Sequence, residues 1–192
     1  MSAPGTPAVF LDRDDTLIAC REVVPDGDLG NPSLVRLLPG VAEGLRALNR
    51  AGFFLGVVSN QGGVARGKYG LDQVDACNQR LNELADGVID AFRFCPYHPS
   101  GVVCGLSTEH PWRKPAPGML LDLTEKHALD LPRSWMVGDA ERDVLAGIAA
   151  GCRSILIRPP GQAGESTRAE AVVPDFSHAV ETILRSLEGT PR

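Results

Sequence analysis

Carboxylates recur at short spacing in two parts of this 192-residue chain: Asp12, Asp14 and Asp15 in FLDRDDTL, and Asp139 and Asp143 in GDAERD. Between these runs stand Ser59-Asn60-Gln61 and Arg113-Lys114-Pro115. Gathered carboxylates repel one another, so a cluster of them calls for a cation. An all-oxygen ligand set suits a hard divalent ion, Mg²⁺ foremost. A carboxylate in such a cluster can attack phosphorus and form an aspartyl phosphate. The cation and a lysine would neutralise the transferring phosphoryl group, with the Ser59 hydroxyl donating a hydrogen bond to it. A second carboxylate two residues on would protonate the leaving oxygen and then deprotonate water. On an extended chain Asp12 and Asp14 point the same way. Each run alone has a plainer reading. Asp-x-Asp after a strand caps a turn or a helix, Ser-Asn makes a turn, and Lys-Pro is solvated. Their joint order on the predicted elements is what selects the chemistry.

Those elements are legible in the hydrophobic pattern. Apolar runs at 8–12, 53–59, 91–94, 135–139 and 154–158 read as buried strands. Helical periodicity covers 41–51, 71–85, 118–129, 141–150 and 177–187. Residues 100–112 and 159–168 read as loops, 1–7 as a loose N-terminal tail and 188–192 as a loose C-terminal one. Continuous apolar strands alternating with amphipathic helices predict one α/β domain, with a Rossmann-like parallel sheet covered by helices on both faces. Ligands in such sheets bind beyond the carboxyl ends of the strands. Asp12, Ser59 and Asp139 all follow a predicted strand, so the pattern brings them to one edge of the sheet.

Composition narrows the classes. Nineteen Lys and Arg stand against 24 Asp and Glu, for a net charge of −5. That sign disfavours a nucleic-acid partner, whereas a few focused cations still hold a small phosphorylated metabolite. No apolar run reaches the ~18 residues of a membrane helix, and residues 1–7 lack the pattern of a signal peptide. Five scattered cysteines fit reduced thiols in a cytoplasm. Cys20, Cys77 and Cys152 read as packing residues.

The runs Asp12-x-Asp14-x-Thr16-Leu17, Ser59-Asn60, Lys114-Pro115 and Gly138-Asp139-x-x-x-Asp143 resemble the four motifs of the haloacid dehalogenase (HAD) superfamily. FLDRDDTL, LLPGVAEGLRAL, SNQGGVARGKY, CPYHP and RKPAPGMLL further resemble the heptose-bisphosphate and histidinol-phosphate phosphatase group. The resemblance implies a HAD-like three-layer fold and a Mg²⁺-dependent phosphomonoesterase. It assigns Asp12 as nucleophile and Asp14 as acid/base. Asp12, the Asp14 carbonyl and Asp139 would hold Mg²⁺, and Ser59 and Lys114 would hold the transferring phosphate. Asn60, Gln61, Arg66 and Arg113 would meet the rest of the substrate. A heptose bisphosphate losing its 7-phosphate is the expected substrate. Histidinol phosphate or another small phosphate ester is the alternative, and a non-catalytic phosphate-binding domain a more remote one.

Departures from the group are informative. Asp15 stands where the group usually has Gly, and Ala140 where the heptose enzymes commonly have Lys. The group's zinc loop is altered: Cys95, Tyr97, His110 and Trp112 occupy its ligand positions, and Tyr and Trp do not ligate zinc. A regrouped set of Cys95, His98, Cys104 and His110 has no familiar zinc spacing, so a metal-free loop around Trp112 is the expectation. The intervals between motifs are used up by predicted elements. No separate cap domain is expected, only loops at 18–36 and 100–113. Gly62–Lys68 matches the glycine-lysine frame of a nucleotide-binding loop, but Tyr69 stands where that loop needs Ser or Thr. A monomer or small homo-oligomer is expected.

Overall fold

A computed structural model describes residues 5–161 and 166–188. Six parallel strands form one sheet: β1 (Ala8–Leu11), β2 (Phe54–Asn60), β3 (Ala91–Cys95), β4 (Trp135–Gly138), β5 (Arg153–Ile157) and β6 (Ala171–Val173). Five helices connect and flank them: α1 (Val41–Arg50), α2 (Leu71–Leu84), α3 (Gly118–His127), α4 (Glu141–Ala150) and α5 (Phe176–Glu188). The order across the sheet is β3-β2-β1-β4-β5-β6. Succession runs one way from β1 to β3 and the other way from β4 to β6. The reversal opens a crevice between the carboxyl ends of β1 and β4, where doubly wound sheets take their ligands.

The period of two along β1 explains the three layers. Val9 and Leu11 face one apolar cluster with Val41, Leu45 and Leu48 of α1, Leu81 of α2 and Ile183 of α5. Ala8 and Phe10 face the other cluster, with Met119, Leu120 and Leu123 of α3 and Ala146 of α4. All four β1 residues are fully buried, which accounts for the unbroken apolar run in the sequence. Trp135 packs at the start of β4 with the Arg153 guanidinium 3.7 Å from its ring centroid.

Three boundaries differ from the sequence expectation. The short strand β6 was hidden because Ala171–Val173 is only three residues long, at the sheet edge. Residues 5–7 are not a loose tail: Thr6 O accepts from Asp130 N at 2.9 Å and Pro7 O accepts from Phe54 N at 2.9 Å. These bonds lengthen the start of the central strand by main-chain pairing that no side-chain pattern announces. The tail expected at 188–192 begins as helix, since Glu188 closes α5; residues 1–4 and 189–192 lie outside the described residues. No described helix is long and apolar enough to cross a membrane.

Candidate active site

Asp12 follows β1 directly, and its N–H donates to Val137 O of β4 at 2.9 Å, which continues the ladder by one residue. The nucleophile candidate is thereby anchored between the two central strands. Its Oδ1 accepts from Lys114 Nζ at 2.5 Å. The same ammonium donates to Val58 O at 2.7 Å and pairs with Asp143 Oδ1 at 2.7 Å. Burial alone would pull Lys114 down, but Asp12 and Asp143 outweigh it and hold its pKa above the ordinary lysine value. The lysine therefore stays charged in a fully buried position.

Lys114 is placed by Asn60 at the end of β2. Asn60 Nδ2 donates to Lys114 O and Asn60 Oδ1 accepts from Lys114 N, both at 3.0 Å. This two-point grip ties the Lys-Pro motif to the Ser-Asn motif and fixes where the ammonium emerges. Ser59 is buried beside it and accepts from Gln61 Nε2 at 3.2 Å.

At the end of β4, Gly138 admits the second acidic run. A Cβ there would lie 2.4 Å from Asp143 Cβ and 2.5 Å from its Oδ2. Only glycine lets Asp143 swing under the strand end. Asp143 Oδ2 accepts from Ala140 N at 3.1 Å, capping the first turn of α4. Asp143 thereby ties down the loop that follows Asp139. Burial pushes the Asp143 pKa up, with Lys114 opposing.

Asp12, Asp139 and Asp143 each present an oxygen within 4.8 Å of the others, the one such cluster found among the described residues. Asp12 Oδ2 and Asp139 Oδ1 are buried without a hydrogen-bond partner. Burial, and then the Asp12 and Asp143 charges, push the Asp139 pKa up to about 6. Clustered carboxylates with buried oxygens that lack a hydrogen-bond donor fit a hard divalent cation, although Arg142 Nη2 stands 3.9 Å from Asp139 Oδ1.

Asp14 reaches the same crevice, although the strand has already ended. Residues 13–18 fold into a tight turn in which Leu17 N and Ile18 N both donate to Arg13 O. Asp15 in this turn has φ 57°, the left-handed region where glycine is easiest and Asp is tolerated. Its Oδ1 accepts from the N–H groups of Cys20 and Arg21 at 2.9 and 3.0 Å. Its Oδ2 holds Arg21 at 2.6 Å, and the same nitrogen reaches Asp139 Oδ2 at 3.0 Å. These side-chain bonds offset the cost of the left-handed backbone at Asp15 and template the loop that carries Arg21.

Asp12, Asp14, Asp15, Arg21, Asn60 and Arg142 line one crevice. Sequence reasoning missed Arg21 and Arg142. Arg142 directly precedes Asp143, so its place in the first turn of α4 was the available signal; nothing local singles out Arg21. Of the other expected substrate residues, Gln61 and Arg66 are engaged elsewhere, and Arg113 through one nitrogen alone. Gln61 is fully buried with its amide bonded on both ends. Arg66 is paired with Asp28. Arg113 donates to Tyr97 O at 3.3 Å.

The cysteine and histidine side chains at 95–110 are not gathered. Cys95 is buried with its thiol on Tyr97 O, His98 Nδ1 accepts from Ser100 N, and Cys104 is exposed. His110 stacks on Tyr97 at 4.1 Å between centroids and meets Trp112 edge-on. An aromatic stack organises this loop.

Residues 111–185 match the HAD-hydrolase-like family. The chain is 41% identical over 153 residues to a D-glycero-beta-D-manno-heptose-1,7-bisphosphate 7-phosphatase of Rhodopseudomonas palustris, covering 78% of this chain and 82% of that one. It is 40% identical over 195 residues to the D-glycero-D-manno-heptose-1,7-bisphosphate 7-phosphatase of Thermosynechococcus vestitus, covering 94% and 97%. Among solved structures, the D,D-heptose 1,7-bisphosphate phosphatase of B. bronchiseptica, complexed with magnesium and phosphate, is similar with a TM-score of 0.76 at 28% identity, covering 94% of this chain and 99% of that one.

Proposed function

The chain belongs to the heptose-bisphosphate phosphatase family of HAD-like hydrolases, and on that footing we propose that it removes the 7-phosphate of a heptose 1,7-bisphosphate with the help of Mg²⁺. The observation that carries the reading is the set of buried Asp12, Lys114 and Asp143 with half-buried Asp139, in which an oxygen of Asp12 and one of Asp139 lack a hydrogen-bond partner. Asp12, Asp139 and the Asp14 carbonyl would hold the ion. When bound, it supplies charge neutralisation for the phosphoryl oxygens.

The chain's own residues do the rest. Lys114 orients the Asp12 carboxylate and offsets the charge of the incoming phosphate. An Asp12 oxygen attacks phosphorus, the ester P–O bond breaks, and the Asp14 carboxyl gives its proton to the leaving oxygen. Water then attacks the phosphorus of the aspartyl phosphate and hands its proton to Asp14. The P–O bond to Asp12 breaks, releasing phosphate and restoring the enzyme. The Ser59 hydroxyl donates to the transferring group.

Arg113 supports a doubly anionic substrate. Burial, together with the nearby Arg142 and Arg66 guanidinium groups, pushes its pKa below the ordinary arginine value. A cation crowded by like charges gains from a second phosphate. The test is phosphate release from heptose 1,7-bisphosphate, histidinol phosphate and fructose 1,6-bisphosphate, with and without Mg²⁺, for wild type and Asp12→Asn. Mg²⁺-dependent release, fastest on the heptose and abolished by Asp12→Asn, is expected. Unchanged release by Asp12→Asn overturns the chemistry, and equal rates across the panel overturn the substrate.

A further inference from the structure

Asp14 carries acid/base work in the reading above, and the inference here rests on that reading. We propose that Arg13, Gln61 and Tyr69 form a buried positioning relay that fixes the Asp14 carboxylate, and that the glycine-rich segment Gly62–Lys68 serves to seat Tyr69 in it.

Both Asp14 oxygens are tied from inside the protein. Arg13 donates to Oδ1 through Nε at 3.2 Å and Nη2 at 3.1 Å, and to Oδ2 through Nη2 at 3.2 Å. Gln61 Nε2 donates to Oδ2 at 2.8 Å. Gln61 Oε1 in turn accepts from Arg13 Nη2 at 3.0 Å and from the Tyr69 hydroxyl at 2.9 Å. Tyr69 therefore orients the amide that orients the carboxylate. Arg13 is anchored further by Asn78 Oδ1, which accepts from Nη1 at 3.2 Å, and by Leu29 O, which accepts from Nη2 at 3.3 Å.

Arg13 is 0% exposed, whereas the Asp14 side chain keeps 20% of its surface. A guanidinium is buried only at a large desolvation cost. Packing alone at this position needs no charge. What the charge adds is a fork matched to a carboxylate, which removes the rotamer freedom that a catalytic acid would otherwise have to surrender during reaction.

The glycines support the second half of the proposal. A Cβ on Gly63 would lie 2.4 Å from Tyr69 Cε1, and one on Gly30 would lie 2.3 Å from Tyr69 Cγ. The tyrosine ring is clamped between two backbones that only glycine brings so close. Lys68, the lysine of the nucleotide-loop frame, pairs with Asp26 at 2.6 Å and Asp28 at 3.0 Å. Its ammonium is committed to acidic partners, and the residue standing where a nucleotide loop needs Ser or Thr is the one that reaches Gln61.

The experiment measures single-turnover release of the leaving group from two esters. Heptose 1,7-bisphosphate has an alkoxide leaving group that needs a proton; p-nitrophenyl phosphate has one that departs without it. Tyr69→Phe removes one hydroxyl and touches neither Asp14 nor the metal ligands. It should slow the alkyl ester roughly tenfold. The aryl ester, the half-saturating substrate concentrations and Mg²⁺ affinity by calorimetry should stay within about twofold. Asp14→Asn should show the same selectivity more strongly. Asn78→Ser loosens the other end of the relay and stands in should Tyr69→Phe not fold. Equal slowing of both esters, or of neither, by the relay variants overturns the proposal while Asp14→Asn remains selective. Loss of selectivity in Asp14→Asn overturns the acid/base reading, and the relay with it.

Discussion

Replacing Lys114 by methionine separates electrostatics from packing, because the two side chains are similar in size. The ammonium is fully buried and bonded to Asp12, Asp143 and Val58 O. Its removal leaves Asp12 and Asp143 with oxygens within 4.8 Å and no cation between them. Two such charges repel by about 3.5 kcal/mol at an effective dielectric of about 20. Breaking a buried pair costs about 3–5 kcal/mol by general experience. The protein has a way out: one carboxylate takes up a proton. From an ordinary carboxylate value of 3.8, that costs about 4 kcal/mol at pH 7 and about 1.6 kcal/mol at pH 5. The folded variant then binds a proton that the unfolded chain does not, so its stability falls as pH rises. Asp139 titrates in both proteins and largely cancels. Lys114→Met should therefore lose about 3–4 kcal/mol at pH 7 and less than half of that at pH 5. The midpoint in a thermal scan should drop roughly 10 °C at pH 7. Denaturation of both proteins in EDTA at the two pH values checks this. A variant as stable as wild type at pH 7, or a deficit that does not shrink at pH 5, refutes the reasoning.

Further outcomes follow from the geometry. With its pKa raised to about 6, Asp139 should make Mg²⁺ binding proton-competitive: calorimetry should find affinity level above that pH and falling up to about tenfold per unit below it. By the same linkage, Asp139 contributes to metal-free stability at low pH, a contribution lost as pH rises from 3.8 to about 6. Asn60→Ala releases the grip on the Lys114 main chain; it should cost about 1–3 kcal/mol in urea unfolding and lower kcat more than it raises KM. Gly138→Ala drives a Cβ against Asp143; it should abolish Mg²⁺ binding by calorimetry and destabilise by roughly 1–3 kcal/mol.

Much of the fold was legible because its central strands are buried on both faces. A run such as AVFL, apolar at every position, fits a strand in the middle of a covered parallel sheet. The five long helices announced themselves by apolar spacing, within a residue or two of their ends. Strand β6, three residues at the sheet edge, and the pairing of residues 5–7 ahead of central β1 stayed hidden because both rest on backbone hydrogen bonds, which leave no side-chain signature.

The candidate site divides in the same way. Asp12, Asp14, Ser59, Lys114 and Asp139 were recognisable because each sits at a fixed offset from a strand or helix end, and the strand order brings those ends together. Arg66, Gln61 and Arg113 were selected by resemblance, and their partners proved to lie across the fold: Asp28 for Arg66, Asp14 and Tyr69 for Gln61, Tyr97 O for Arg113. A motif states which group is present, whereas what that group faces depends on chain folded in from elsewhere.

By itself, then, the sequence determined the layers, the strand ends and the kind of chemistry those ends carry, since apolar period and local spacing are properties of neighbouring residues. The tertiary structure alone decided which charges are compensated. Lys114 lies 102 positions from Asp12 and Arg21 lies 118 from Asp139. Contacts so distant in sequence exist only after the sheet has assembled, and in a buried site it is those contacts that set protonation, orientation and the room left for a cation.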